Sequence, residues 1–172
     1  MACDIHAYID FDKYYRKDDG PLVRCAAQDV LIGRDYCLFG VMAGVRVDDV
    51  APVVPPRGMP SRMSFTILDA FTRRITDDET LHDQSGYCSK EQADQWIKYN
   101  FSTWIDPGKR ITHPDWHTPS WLTLAELEQV QTVYADTWER GRHEYLDAIM
   151  AMMKSLDGDK PGRSRLVFWF DN

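Results

Sequence analysis

Several common signatures of catalysis and targeting are missing from this 172-residue chain. It contains no phosphate loop of the GxxxxGK[ST] or GxGxxG type and no GxSxG nucleophile motif. It also has no run of eighteen apolar residues, and its charged N-terminal segment lacks the apolar core of a secretory signal. We therefore expect neither a phosphate-loop enzyme nor an α/β-hydrolase, and we expect a cytoplasmic protein that makes no use of a membrane.

The cysteines show no metal-binding or disulfide pattern. The sequence has no CxxC pair and no histidine at zinc-finger spacing from a cysteine. A free cysteine behaves as a small hydrophobic residue. The spacing therefore predicts buried, reduced thiols at all four positions, as a reducing cytosol would maintain: Cys3, Cys25, Cys37 and Cys88.

The charge composition is acidic, with a formal net charge of -7 and no basic run. Nonspecific binding to nucleic acid draws on many phosphate contacts, so we expect no nucleic-acid polymer as a partner. Of the 27 acidic residues 21 are Asp, and of the 20 basic residues 13 are Arg. Asp favours caps and turns, whereas Arg suits planar, bidentate contact with a carboxylate or phosphate.

Strand patterns at both ends of the chain predict a sheet. Residues 3–12 alternate apolar and polar side chains, and a turn at 19–21 leads into a second apolar segment at 22–31, which together suggest a hairpin. The run RLVFWF near the C-terminus has the composition of a central strand. We expect one antiparallel or mixed sheet that includes the N- and C-terminal strands and is packed by helices. This is an α+β fold in a single globular domain, residues 1–172.

Helix signals lie between these strands. Asp35 is a predicted N-cap for residues 36–46, and capping boxes begin at Ser89 and Thr123. The apolar stripe near 124–156 predicts one long amphipathic helix or two helices broken near Asp136 and Gly141, and we favour a helix with a bend or break. Residues 63–75 are predicted to be largely helical, whereas the segments 48–60 and 100–121 are predicted to be loops.

The sharpest local feature is Asp4 and His6, which share the polar face of the first strand. Asp171 follows the last strand, and neighbouring strands would bring it close to His6. Such a group can contact a ligand, act as an acid–base pair, bind a metal, or simply face solvent.

The predicted loop at 100–121 carries a second candidate group, which comprises Trp116, His117 and Trp121 together with His113. Pro114 and Pro119 exclude the helix that an HExxH zinc motif requires. Trp and His side chains can stack on a planar ring and supply hydrogen bonds. The alternative is that these tryptophans cover the core.

Three arginines lie at the edges of predicted elements: Arg34, Arg46 and Arg57. An Arg beside a glycine, as Arg57 is beside Gly58, often holds an anionic group because the backbone can approach closely. The alternative is an ion pair with one of the many aspartates.

Six sequence blocks resemble a family of short uncharacterised bacteriophage and prophage proteins that opens with a CDIH motif and ends in an FDN strand. The blocks are CDIH at 3–6, RDYCLF at 34–39, AGVR at 43–46, PPRGMP at 55–60, HTPSWLTLAEL at 117–127 and RLVFWFDN at 165–172. Members often read HSxSWL where this chain has HTPSWL, so the resemblance assigns no role to positions 118 and 119. The resemblance implies a phage accessory protein in the host cytosol and no particular mechanism.

Three functional hypotheses follow. The first is binding, without catalysis, of a small anionic, nucleotide-type ligand such as a host defence signal, through Asp4, His6, Arg34, Arg46, Arg57, Trp116, His117, Trp121 and Asp171. It needs no cofactor. The second is a metal-dependent phosphoesterase whose divalent metal is held by Asp4, His6, His117 and Asp171. The third is an interaction module that binds a host or virion protein through its long helix. The sequence leaves open whether the chain is an enzyme and whether it forms a homo-oligomer.

Overall fold

A computed structural model describes residues 3–12, 24–26, 30, 32–82, 84–139 and 141–171. The α+β class predicted from the sequence is confirmed. The chain forms two compact units, of which the first comprises residues 1–64 and 117–172 and the second comprises residues 65–116. In chain order the elements are β1 (Ile5–Asp12), β2 (Arg24–Ala26), α1 (Tyr36–Ala43), α2 (Phe65–Phe71), β3 (Thr72–Ile75), a short 3-10 helix (Glu79–Leu81), β4 (Tyr87–Cys88), α3 (Lys90–Lys98), β5 (Trp104–Asp106), β6 (Arg110–Thr112), β7 (Trp116–Leu122), α4 (Leu124–Trp138), α5 (Glu144–Asp157) and β8 (Ser164–Asp171).

The sheet of the first unit has the strand order β2-β1-β8-β7. The N- and C-terminal strands pair antiparallel, from Ile5 opposite Phe170 to Phe11 opposite Ser164, as the sequence predicted. One face of this sheet supplies Ala7, Ile9, Leu166, Phe168 and Phe170 to a core that also contains buried residues of α1, α4 and α5. Burial of these apolar side chains is the main favourable contribution to folding.

Helix starts follow the capping signals in the sequence. Asp35 caps α1 by accepting a hydrogen bond from the backbone N–H of Leu38 at 3.1 Å. Reciprocal capping boxes begin α3 and α4, the first from Ser89 and Gln92 and the second from Thr123 and Glu126.

The apolar stripe at 124–156 forms two helices, α4 and α5. The backbone leaves helical geometry at Glu139, where φ is 49°, and α5 begins after His143. The break therefore lies close to Gly141, where the sequence suggested one.

Two segments differ from the prediction. Residues 63–75 contain only the short helix α2 before strand β3, and the predicted loop at 100–121 contains β5, β6 and the start of β7. The cause is pairing between these segments, because Thr72 lies opposite Thr112 and Arg73 opposite Ile111 in the β3/β6 ladder. The intrinsic preference of a short segment for one secondary structure has less influence than such pairing with a neighbouring strand.

The second unit therefore contains a sheet that the sequence did not predict. Its strand order is β4-β3-β6-β5, with β3 and β4 parallel and the other pairs antiparallel. The turn between β5 and β6 contains Gly108, whose φ of 76° suits glycine. Ala93 of helix α3 packs against Cys88 and Ile111 of this sheet.

Cys3, Cys37 and Cys88 carry free thiols; Cys3 and Cys88 are buried as predicted, whereas Cys37 is only partly buried. The side chain of Cys25, the predicted turn at 19–21, most of the predicted strand at 22–31 and Asn172 lie outside the described residues. None of the helices in the described ranges has both the length and the apolar character that crossing a bilayer requires.

Candidate functional site

The ends of β1 and β8 bring Asp171 to His6, as predicted. The Asp171 carboxylate accepts a hydrogen bond from the backbone N–H of Asp4 at 2.8 Å, and its second oxygen lies 3.2 Å from His6 Nε2. The backbone N–H of Asp171 donates in turn to the carbonyl of Asp4 at 3.1 Å. The Asp171 carboxylate therefore adds a hydrogen bond to the backbone pairing at the end of the β1/β8 ladder.

Arg34 belongs to the same group but is committed to Asp4. Its Nε and Nη2 donate to the two oxygens of the Asp4 carboxylate, each at 2.6 Å. These hydrogen bonds lower the pKa of Asp4 and raise that of Arg34. The pair is about half exposed and satisfies its own charges, so it is a surface ion pair rather than a site with a spare charge.

The metal-site alternative finds no support in this geometry. Within the ranges that the structure describes, no three His, Cys, Asp or Glu residues are placed to hold a metal ion. His117 is engaged differently from the prediction, since its Nδ1 lies 2.9 Å from Thr118 Oγ1 and its ring stacks on Phe170.

Arg57 and Trp121 lie together in a separate cluster. Two Nη atoms of Arg57 donate to the Glu126 carboxylate at 3.1 and 2.8 Å, and Nη2 also donates to the carbonyl of Trp121. The guanidinium lies 3.6 Å from the centre of the Trp121 ring, which Arg165 also approaches at 5.5 Å. The charge of Arg57 is matched by Glu126, so its guanidinium makes the ion pair that the sequence offered as the alternative to an anion site.

Arg46 and Trp116, the remaining predicted site residues, do not join the group at the strand ends. Arg46 is exposed, with φ at 67°, and makes no hydrogen bond or ion pair with any described residue. Trp116 belongs to the second unit, where its ring stacks on His113 at 4.3 Å.

The second unit contains an arginine pair that the sequence analysis missed. Arg74 and Arg110 lie opposite each other on β3 and β6. Arg74 Nη2 donates to both oxygens of Asp69 at 2.8 Å, and Arg110 Nη1 donates to Asp69 at 2.7 Å and to Thr72 Oγ1 at 2.8 Å. Burial raises the pKa of Asp69, but the hydrogen bonds from both arginines outweigh this effect and leave the pKa below its ordinary value.

An open groove of about 440 Å³ lies beside this pair. Both guanidiniums contact the ring of Phe65, at 5.3 and 5.8 Å from its centre, and this ring is 63% exposed. The lining carries three cations and one carboxylate, and Asp69 adds a second carboxylate bonded to both arginines, so positive charges outnumber negative ones by one. We call this site the arginine groove; it is lined by Phe65, Arg74, Ile75, Asp106, Lys109 and Arg110.

The sequence held a signal for the arginine groove in the adjacent basic pairs Arg73–Arg74 and Lys109–Arg110. One member of each pair, Arg74 and Arg110, lies at the β3/β6 register position where the two strands oppose each other, and Lys109 immediately precedes β6. This signal could be interpreted only if residues 72–75 and 110–112 were known to be strands. The sequence predicted the first segment to be helical and the second to be a loop.

No protein-family model, curated protein or solved structure matches this chain. The candidate site therefore depends on the geometry of the described residues.

Proposed function

We propose that the protein binds a small anionic ligand of nucleotide type in the arginine groove. The observation that carries the proposal is the incomplete use of two guanidiniums. Asp69 engages only Nη2 of Arg74 and only Nη1 of Arg110. The Nε and the other Nη of each side chain make no hydrogen bond with a described residue. Each arginine therefore keeps N–H donors for an incoming oxyanion.

The chemistry of the groove favours a phosphate group attached to a planar ring. Arginine forks match phosphate oxygens geometrically, and Lys109, whose exposed ammonium lies 3.5 Å from Asp106, adds a further cation at the rim. The exposed ring of Phe65 offers a stacking surface. The groove volume falls within the range of about 300–1,000 Å³ that is usual for small-molecule sites.

The proposed use of this binding is sequestration without turnover. The lining supplies cations, one carboxylate and apolar surface, and none of its described residues is Ser, Cys or His. In the phage setting that the sequence resemblance implies, such a site would remove a nucleotide-type host signal from solution.

Calorimetric titration tests the proposal with inorganic phosphate, the four ribonucleoside monophosphates and an uncharged nucleoside. We expect at least one monophosphate to bind more tightly than phosphate and the nucleoside not to bind. Arg74→Gln and Arg110→Gln should each weaken binding at least about tenfold, the effect of losing one charged hydrogen bond. Phe65→Leu should weaken monophosphate binding and leave phosphate binding unchanged.

Arg142→Gln is the matched control, because Arg142 also forms an exposed pair with an aspartate, Asp147. It should bind as the wild type does. The proposal is wrong if neither phosphate nor any monophosphate binds at millimolar concentration, or if Arg142→Gln weakens binding as much as Arg74→Gln does.

A further inference from the structure

A row of side chains crosses the sheet of the second unit on one face. Arg74 of β3 lies opposite Tyr87 of β4 and also opposite Arg110 of β6. Residues in register on neighbouring strands point to the same face of a sheet. The next residue along β4 and the next along β6 point to the other face, which packs against α3. Tyr87 therefore shares a face with the two arginines of the arginine groove.

Arg74 also lines a second, smaller space. This space has a volume of about 160 Å³, and we call it the side pocket; its lining includes Asp69, Arg74, Gly86 and Tyr87. Because Arg74 lines the arginine groove as well, the two spaces adjoin at this side chain. A protein cavity of about 150 Å³ accommodates one benzene molecule, so the side pocket has room for a single small ring.

The phenol of Tyr87 is an unused polar group at the side pocket. The backbone N–H of Tyr87 donates to the carbonyl of Gln84 at 3.1 Å, and its carbonyl accepts from Arg73 Nη1 at 3.1 Å. Its hydroxyl forms no hydrogen bond within the part of the chain that the structure describes. Hydrogen bonds to Asp69 raise the pKa of Arg74, and the Tyr87 phenol adds a smaller increase because it lies near the guanidinium.

The Asp69 carboxylate keeps one acceptor position. Its Oδ1 accepts hydrogen bonds from Arg74 at 2.8 Å and from Arg110 at 2.7 Å, whereas its Oδ2 accepts one, from Arg74 at 2.8 Å. An ionised carboxylate offers about four acceptor positions, so Oδ2 can accept one more hydrogen bond. A carboxylate repels a phosphate but accepts readily from a hydroxyl group. The side pocket therefore suits a small neutral ring that carries hydroxyl groups.

We propose that the side pocket binds the ribose of a ribonucleotide whose phosphate lies in the arginine groove, a proposal that rests on the function proposed for that groove. A ribose is joined to its 5′-phosphate through a single CH₂–O linkage, so the two groups need adjacent sites, and Arg74 adjoins both spaces. Acceptance of a hydrogen bond from the 2′-hydroxyl by a carboxylate is a common way to recognise ribose. In this arrangement Asp69 accepts from the sugar, and the Tyr87 hydroxyl forms a second hydrogen bond with it.

Calorimetric titration of the full chain with each of the four ribonucleoside monophosphates and its 2′-deoxy counterpart tests the proposal. We expect each 2′-deoxy compound to bind at least about tenfold more weakly than the ribonucleotide that binds, the effect of losing one hydrogen bond to a charged group. Tyr87→Phe should weaken ribonucleotide binding about fivefold, the effect of one neutral hydrogen bond. It should leave the binding of inorganic phosphate unchanged, because phosphate does not enter the side pocket.

Tyr99→Phe is the matched control, because Tyr99 belongs to the same unit, is 61% exposed and lines neither space. It should bind ribonucleotides as the wild type does. The inference is overturned if Tyr87→Phe weakens phosphate binding as much as ribonucleotide binding, or if Tyr99→Phe has the same effect as Tyr87→Phe.

The comparison of ribose with deoxyribose uses the wild type alone, so it decides the matter even if Tyr87→Phe does not fold. Equal affinity for ribonucleotides and their 2′-deoxy counterparts overturns the assignment of the side pocket and leaves the proposed function in place. Failure of phosphate and of every monophosphate to bind overturns both.

Discussion

Arg74 and Arg110 face each other directly across strands β3 and β6, so that two positive charges occupy one cross-strand pair. Like charges in this position destabilise a sheet. Asp69, from α2, offsets the repulsion by accepting hydrogen bonds from both guanidiniums. A stable fold and a site with unused donors therefore depend on the same carboxylate.

Asp69→Asn should destabilise the protein at neutral pH because it removes the negative charge that offsets the repulsion between Arg74 and Arg110. The carboxylate is 37% exposed, so after allowance for solvent screening we expect a loss of about 1 kcal/mol in the free energy of unfolding. Urea denaturation at pH 7 measures this loss. Asp94→Asn, which removes an exposed partner of Lys90, is the control and should have a smaller effect.

Asp69 should also contribute to acid sensitivity. Its pKa in the folded state lies below the ordinary value of 3.8, so the unfolded state takes up the proton first as the pH falls. The stabilisation is complete above the unfolded pKa and is lost as the pH falls through the folded pKa. Between pH 5 and pH 3 the wild type should therefore lose more stability than Asp69→Asn; parallel curves for the two proteins would contradict the assignment.

Arg57→Ala should lower stability without changing ligand binding. Arg57 stacks on Trp121 and forms two hydrogen bonds with Glu126, whose capping box begins α4. The loss of these contacts should reduce the free energy of unfolding by about 2 kcal/mol. Urea denaturation compares this variant with Arg46→Ala, whose exposed side chain should contribute almost nothing. Weaker phosphate binding in Arg57→Ala would return Arg57 to the ligand site.

His143 should make the protein less stable as the pH falls below neutrality. Burial lowers the pKa of His143 below its ordinary value of 6.5, against the opposite influence of Asp35, Glu144 and Asp147. Between the folded and unfolded pKa values, the unfolded state binds more protons, so the free energy of unfolding decreases as the pH falls through 6.5.

His143→Gln should lack this contribution. Thermal unfolding between pH 7.5 and pH 5.5 should therefore show a smaller decline for the variant than for the wild type. His82→Gln is a suitable control. His82 is hydrogen-bonded to the carbonyl of Thr76 and lies far along the chain from His143. A decline in His143→Gln as large as that in the wild type would rule out His143 as the source.

The parts of the fold that the sequence predicted well depend on local signals. The alternation in residues 3–12 and the capping residues Asp35, Ser89 and Thr123 act within a few positions, and each produced the expected element. The meeting of Asp171 and His6 also followed from the sequence, because two strong terminal strands pair readily in one sheet.

The candidate site could not be predicted in the same way, because its contacts depend on distant partners. The position of Arg57 beside Gly58 is compatible with an anion site and with an ion pair. Its partner in the structure is Glu126, which lies 69 positions away in the sequence. Arg74 and Arg110 become neighbours only through the β3/β6 pairing, whose short strands lack a long alternating pattern. Sequence periodicity is weakest where strands are this short.

The pairing of β1 with β8 has a consequence for the order of events during synthesis. The apolar face of β1, including Ala7 and Ile9, precedes its partner strand β8 by more than 150 residues, since Ile9 lies opposite Leu166. The second unit is one continuous stretch, residues 65–116, and all of its strand pairs lie within it. Contacts close in sequence form fastest, and unpaired apolar strands aggregate readily. The strand pairs of the second unit can therefore form before β8 has been synthesised, whereas β1 can complete its pairing only afterwards.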